Sequence, residues 1–198
     1  MKKKLILAAF ENSRRDTFAQ AYRALVALNN PAWAHDLDGN VVVRRVGNET
    51  WELGYDAEGN LVLLKNPTNQ NDIAWVYEYD GLGRRVRAVR GSLEVVYLYS
   101  GDTLVAEGSR QSSSDPLQWV YYGFGGSMYQ QVSNAGTEYK HWNLRGDLAA
   151  TSSPTGAYSP APITDAFGDT IAGARQTYDW NGAWGYRNEA LTGGLLGS

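Results

Sequence analysis

A six-residue template recurs along this chain, and it constrains the fold more tightly than anything else in the sequence. His35-Asp36-Leu37-Asp38-Gly39-Asn40, Tyr55-Asp56-Ala57-Glu58-Gly59-Asn60 and Tyr79-Asp80-Gly81-Leu82-Gly83-Arg84 each read aromatic, Asp, two variable residues, Gly, polar residue. Degraded copies follow at Trp142-Asn143-Leu144-Arg145-Gly146-Asp147 and Thr164-Asp165-Ala166-Phe167-Gly168-Asp169. Asp36 lies 20 residues before Asp56, Asp56 lies 24 before Asp80, and Asn143 lies 22 before Asp165. A repeat of that length accommodates one β-hairpin.

Each position of the template has a mechanical reason. The aromatic ends an incoming strand and packs on its neighbour. Asp accepts backbone N–H groups across an Asx-type turn, and Gly takes the positive φ that closes it. An apolar strand then leaves the turn, as in Val41-Val42-Val43, Leu61-Val62-Leu63-Leu64 and Val86-Arg87-Ala88-Val89. Asp36, Gly39, Tyr55, Asp56, Gly59, Tyr79, Asp80, Gly83, Gly146, Asp165 and Gly168 are therefore assigned as structural turn residues, and the acids are not a catalytic set.

The rest of the chain agrees with a mainly β, antiparallel hairpin-repeat sheet carrying one N-terminal amphipathic helix. Among 198 residues there are 13 Tyr, 7 Trp and 22 Gly, a mixture that favours strands and tight turns. Trp75, Tyr77 and Tyr79 alternate with Val76, Glu78 and Asp80, and Val95, Tyr97 and Tyr99 alternate with Val96, Leu98 and Ser100. The helix is predicted over Ser13–Asn29, where Phe18, Tyr22, Leu25 and Val26 recur on one face and Asn30-Pro31 ends it. It covers a sheet edge or, as an alternative, lies on a membrane surface. The organisation predicted is an N-terminal segment over 1–31, repeat hairpins over 32–108, an exposed loop over 109–116 and a further β segment over 117–198.

Several kinds of chemistry are excluded by the residues present. The formal net charge of −3 gives no field for binding a phosphate backbone, and the absence of cysteine rules out disulfides and thiolate sites. Met1-Lys2-Lys3-Lys4 and the apolar run Leu5–Phe10 have the order of a signal peptide, but the run is short and no cleavage site follows. No stretch is long and apolar enough to span a membrane as a helix. His35 and His141, the two histidines, occupy aromatic or pre-aromatic positions of repeat turns and have no nucleophile beside them. Asp36-Leu37-Asp38-Gly39-Asn40 fails as a calcium loop, because position 6 would be Val41 and position 12 Gly47. Gly123-Phe124-Gly125-Gly126 lacks the Lys-Ser/Thr of a phosphate cradle. In the basic cluster, strict alternation puts Arg85 and Arg87 on one face with Val89, and Arg84 and Arg90 on the other.

With its three good copies and its ordered later motifs, the chain resembles the YD-repeat (RHS-repeat) family. The later motifs are Trp119-Val120-Tyr121-Tyr122-Gly123, Lys140 to Thr151, Asp165-Ala166-Phe167-Gly168, and Trp180-Asn181-Gly182-Ala183-Trp184-Gly185-Tyr186-Arg187-Asn188-Glu189 with Thr192-Gly193. They are similar to the RHS-associated core. The resemblance implies a β-sheet that spirals into a shell around a C-terminal toxin or effector, and an extracellular or cell-surface location. The self-cleavage segment and toxin that follow the core in the family do not match anything here, so the chain looks like a fragment, a degenerate gene product or a short member. The reading is a non-catalytic structural segment with no cofactor and no metal. Its partners are the remainder of such a shell or a second copy through the sheet edges, with toxin cargo in full-length relatives. The alternative is an aromatic-rich carbohydrate-binding or cell-surface interaction module, for which several Trp and Tyr should stand exposed on one face. Unpaired edges further predict an oligomeric or aggregation-prone chain, made worse by deletion of residues 1–30.

Overall fold

The computed structural model describes residues 33–46, 49–66, 74–166, 168 and 170–188, so the helix predicted over Ser13–Asn29 lies outside the described residues. Within them the chain is almost entirely β. Thirteen strands hydrogen-bond in sequence order in one antiparallel sheet, and a separate two-stranded hairpin follows. The chain divides into two compact units, Met1–Glu94 and Val95–Ser198.

The first unit holds β1 (Trp33–His35), β2 (Val41–Val46), β3 (Glu49–Tyr55), β4 (Leu61–Lys65), β5 (Trp75–Tyr79) and β6 (Arg85–Arg90), with the start of β7 (Leu93–Ser100). Its buried apolar residues include Val42, Val43, Trp51, Leu53, Leu63, Leu64, Tyr77 and Ala88. They come from nearly every strand because each hairpin is too small to bury its own faces and relies on its neighbours.

The second unit continues through β8 (Thr103–Arg110), β9 (Gln118–Phe124), β10 (Met128–Ser133), β11 (Gly136–Trp142), β12 (Leu148–Ser152) and β13 (Tyr158–Pro160). The hairpin β14 (Ile163–Thr164) and β15 (Thr170–Ala172) comes next, and a 3-10 turn at Gly182–Trp184 is the one helical element among the described residues. Here the core gathers on one face of the sheet. Tyr122, Met128 and Tyr178 form a buried cluster, with Leu104, Val120, Phe124 and Trp142 packed against it. Tyr178 belongs to the segment after β15, so that segment folds back over the strands that precede it.

The repeat hairpins share one departure from regular pairing. His35 pairs with Val41 while Ala34 pairs with Val43, and Tyr55 pairs with Leu61 while Gly54 pairs with Leu63. Tyr79 pairs with Arg85 while Glu78 pairs with Arg87, and Trp142 pairs with Leu148 while His141 pairs with Ala150. One residue is therefore extra at the same place each time: Val42, Val62, Val86 and Ala149, six after the Asp or Asn that opens the turn. A bulge at a fixed position flips the face of what precedes it and adds local twist.

That bulge overturns the strict alternation expected of the basic cluster. Arg85 lies over the ring of Tyr77, with its guanidinium carbon 4.1 Å from the centroid, whereas Arg87 pairs with Glu78 at 2.7 Å and Glu94 at 2.5 Å. Tyr77 and Glu78 are adjacent on β5 and point to opposite faces, so Arg85 and Arg87 do too. Val86, the extra residue between them, is the reason.

Candidate functional site

Four of the five template copies fold into the same turn. Asp36 Oδ1 accepts the N–H groups of Asp38 at 3.0 Å and Asn40 at 2.8 Å. Asp56 Oδ1 does so for Glu58 at 3.1 Å and Asn60 at 2.8 Å, and Asp80 Oδ1 for Leu82 at 2.9 Å and Arg84 at 3.0 Å. In the fourth copy the side-chain amide oxygen of Asn143 replaces the carboxylate and accepts from Arg145 at 2.9 Å and Asp147 at 3.0 Å. The backbone closes each loop identically: the Gly N–H donates to the carbonyl of the opening residue, with Gly39, Gly59, Gly83 and Gly146 at φ between 76° and 89°. Of the fifth copy, Asp165 and Gly168 are described, and they make the same backbone bond at 3.3 Å.

The second carboxylate oxygen explains the polar residue that ends the template. Asp36 Oδ2 takes a bond from Asn40 Nδ2 at 3.1 Å, Asp56 Oδ2 from Asn60 Nδ2 at 3.0 Å, and Asp80 Oδ2 from Arg84 Nε at 2.8 Å. In the fourth turn the roles are exchanged, with Asn143 Nδ2 donating to Asp147 Oδ2 at 3.0 Å. The Arg84 side chain bound to Asp80 holds that carboxyl below the usual carboxylate range.

The template aromatics tie one repeat to the next. Tyr79 donates its hydroxyl to the carbonyl of Leu61 at 2.8 Å, the first residue of the strand leaving the preceding turn. Trp142 makes the corresponding bond through its indole N–H to the carbonyl of Met128, the first residue of β10. Burial pushes the Tyr55 phenol up, and the nearby Asp36 carboxylate and Tyr79 add to it. His35, at the first template position, is exposed.

A second polar constellation was not legible in the sequence. The segment after β15 docks on the fourth turn: Asn181 N–H donates to Asp147 Oδ1 at 3.0 Å, Ala183 N–H to the Gly146 carbonyl at 3.1 Å, and the Trp184 indole to the Arg145 carbonyl at 3.1 Å. Asp179 holds the segment in shape. Its carboxylate receives both Arg175 Nε and Nη2 at 2.7 Å and the N–H groups of Gln176 and Trp180 at 2.9 and 2.7 Å, and its carbonyl accepts from Leu148 at 2.7 Å. Deeper in, the buried Glu107 carboxylate accepts the Tyr178 hydroxyl and lies 3.4 Å from Arg187 Nε and Nη2. Burial pushes the Tyr122 and Tyr178 phenols up, and the Glu107 charge pushes them further, so both remain protonated donors at neutral pH. The signal that could have found this latch is Tyr178-Asp179-Trp180-Asn181-Gly182, which fits the first five positions of the repeat template and has Ala183 at the sixth.

In both constellations the acids are engaged in bonds that hold the fold. Asp36, Asp56 and Asp80 spend their oxygens on their own turns, and Glu107 spends its oxygens on Tyr178 and Arg187. His141 bonds to Ser152 Oγ at 2.8 Å on an exposed strand surface. Among the described residues no cluster of His, Asp and Glu is placed to hold a metal ion, and no helix is long and apolar enough to cross a membrane.

No protein-family model matches the chain. It is 26% identical over 161 residues to the tRNA3(Ser)-specific nuclease WapA of Bacillus spizizenii, covering 81% of this chain and 6% of that protein. To the tRNA nuclease WapA of Bacillus subtilis it is 26% identical over 145 residues, covering 73% of this chain and 6% of that one. The chain thus spans about 6% of the length of these curated relatives. Among solved structures, a chain of the Photorhabdus luminescens Tc holotoxin pore matches with a TM-score of 0.44 and 15% identity, covering 70% of this chain and 8% of that chain. With an Asp- or Asn-opened turn and its bulge repeated four times, and with the sequence shared with those relatives, the chain carries YD/RHS-type repeats.

Proposed function

We propose that the chain is a non-catalytic structural β-repeat segment of the kind that builds a YD/RHS shell. The observation that supports this is the repetition itself: four turns with the same hydrogen bonds and the same bulge, in which the acids are consumed by the backbone they organise. In this reading residues 32–108 supply the repeat hairpins and residues 117–198 the core-like β segment, and the partners are the remainder of a shell, a second copy at the sheet edges and, in longer relatives, a toxin cargo.

The curated relatives are named as tRNA nucleases, and the stretch they share with this chain is a small part of each. In the proposed reading that activity belongs to other parts of those proteins. Incubating the purified chain with total tRNA, with and without Mg²⁺, tests it on a denaturing gel. Intact tRNA at all times is the expected result; cleavage that grows with protein concentration and disappears in a Glu107→Gln or His141→Ala variant would overturn the non-catalytic reading.

A further inference from the structure

Asn181-Gly182 is the one Asn-Gly pair in the chain, and the fold dictates both residues. Asn181 takes a left-handed conformation, φ 50° and ψ 20°, which asparagine tolerates better than most side chains. Gly182 is buried, and a Cβ there would stand 3.0 Å from Cη2 and Cζ3 of Trp142 and from Cβ of Tyr178, so packing favours a residue without a side chain. Docking on the fourth turn therefore selects a pair that is chemically labile wherever the backbone is free.

The lability is intramolecular. The Gly182 nitrogen, unhindered by a side chain, loses its proton and bonds to Cγ of Asn181. The bond from Cγ to the side-chain nitrogen breaks, and ammonia leaves carrying that proton. Water then opens the resulting cyclic imide. Attack at Cγ gives aspartate; attack at the main-chain carbonyl gives isoaspartate, in which the chain runs through Cβ and Cγ and the former main-chain carbonyl becomes a free carboxylate. The first step needs the nitrogen and Cγ in near-attack contact, so backbone geometry governs its rate.

The docked geometry blocks that step. At ψ 20° the Gly182 nitrogen points away from the Asn181 side chain, and ring closure requires the peptide plane between the two residues to turn over. That plane is pinned on both sides. The Asn181 carbonyl accepts the Trp184 N–H at 3.0 Å, and the Gly182 N–H points at the Asp179 carbonyl at 3.5 Å. The flanking bonds, Asn181 N–H to Asp147 Oδ1 and Ala183 N–H to the Gly146 carbonyl, hold the segment to the fourth turn. Closure therefore waits for the segment to leave its site. We propose that Asn181 is a deamidation site gated by the docking of this segment, and that its isoaspartyl product keeps the segment undocked. Isoaspartate lengthens the backbone by one carbon, so the N–H groups of residues 181 and 183 lose the spacing that reaches Asp147 and Gly146 together. Release bares the Tyr122 and Met128 cluster that Tyr178 completes, which makes the chemistry a one-way opening of the second unit.

The experiment ages the full chain in neutral buffer beside a synthetic peptide of residues 176–187, and follows deamidation of the matching tryptic peptide by mass spectrometry. Isoaspartate is scored by enzymatic methylation. The expected rate in the chain is at least about tenfold below that in the peptide, since only locally opened molecules react. Asp179→Ala should raise it toward the peptide rate. Trp184→Phe is a milder second variant: it removes one bond from an exposed side chain, the indole N–H to the Arg145 carbonyl, and should accelerate the reaction with the far-UV circular dichroism of the sheet unchanged. The purified isoaspartyl form should show shifted tryptophan emission. Equal rates in chain and peptide would overturn the gate, as would rates in both variants that match the wild type. An isoaspartyl form with wild-type emission would overturn the one-way opening.

Discussion

Asp56 and Asn143 open turns of the same geometry with different chemistry, which separates what the turn requires from what it merely uses. Both present one oxygen to the N–H groups two and four residues on. The charge is dispensable, because in the fourth turn it moves to Asp147 and the side-chain bond is kept with donor and acceptor exchanged. The glycine is not dispensable. Gly59 sits at φ 84° with nothing within 4 Å of where a Cβ would go, so its requirement is conformational and not steric crowding by neighbours. Gly59→Val should therefore cost about 2–3 kcal/mol, since a β-branched residue tolerates positive φ poorly. Asp56→Asn should cost less than about 1 kcal/mol, because the amide oxygen still accepts both N–H groups and only the bond from Asn60 is disturbed. Urea midpoints at constant m-value measure both; equal or reversed losses would show that the glycine conformation does not govern the turn. Aspartate and glycine at this spacing made these turns legible in the sequence. The side chain facing each way was less so: the placement of Arg85 depends on a bulge at Val86 that no period-two reading contains.

At the level of elements, the repeat is a strand, a five-residue turn and a bulged strand, and its variants show why some copies escaped notice. Ser153-Pro154-Thr155-Gly156-Ala157 is one such turn, with Ser153 Oγ accepting from Thr155 at 3.3 Å and Ala157 at 3.1 Å and Gly156 at φ 85°. A hydroxyl serves as the acceptor, so a search for Asp or Asn passes over it. Tyr178-Asp179-Trp180-Asn181-Gly182 fails in the opposite direction, matching the first five template positions but not the turn. Asn181, not Gly182, takes the positive φ, at 50°, and the Asp179 carboxylate goes to Arg175, Gln176 and Trp180. Local sequence cannot specify that outcome, because the docking surface is the fourth turn, 34 residues earlier. Asp179→Ala should accordingly detach this segment. It leaves the part-buried N–H groups of Gln176 and Trp180 and the Nε and Nη2 of Arg175 without this acceptor, a loss of about 2–4 kcal/mol readable as a lower urea midpoint and a shift in tryptophan emission. Acid should loosen the same contact through Asp147. Burial pushes that carboxyl up, but the bonds from Asn143, Asn181 and Arg145 outweigh it and hold it below the usual range. A depressed folded pKa gives stability that is complete above the unfolded value of about 3.9 and is lost as pH falls through the folded value. Tryptophan emission followed down a pH series should begin to change below that point. Emission that changes near neutrality instead would place the sensitive group elsewhere.

For the molecule as a whole, a repeat sheet has no intrinsic stop, and the behaviour of its edge decides the state of the chain in solution. The last strand of the sheet, β13, is three residues long with Tyr158, Ser159 and Pro160 all exposed, and beyond it Ile163 and Ile171 of the β14–β15 hairpin are 59% and 67% exposed. Short length and a proline without an N–H blunt a sheet edge against strand addition, whereas exposed Tyr and Ile side chains invite apolar contact. The two tendencies act on different groups, so they can be separated. Pairing through the backbone is resisted by Pro160; association through side chains is not. The expected outcome is reversible self-association, with the weight-average mass from light scattering rising across a concentration series. Replacing both isoleucines, Ile163→Lys with Ile171→Lys, should shift the chain toward monomer by setting like charges against each other at the contact. Tyr121→Ala, on β9 and outside the hairpin, should leave the association unchanged. A wild-type chain that stays monomeric at every concentration would mean that the hairpin side chains do not drive assembly. An association that survives the double lysine variant would assign it to another surface.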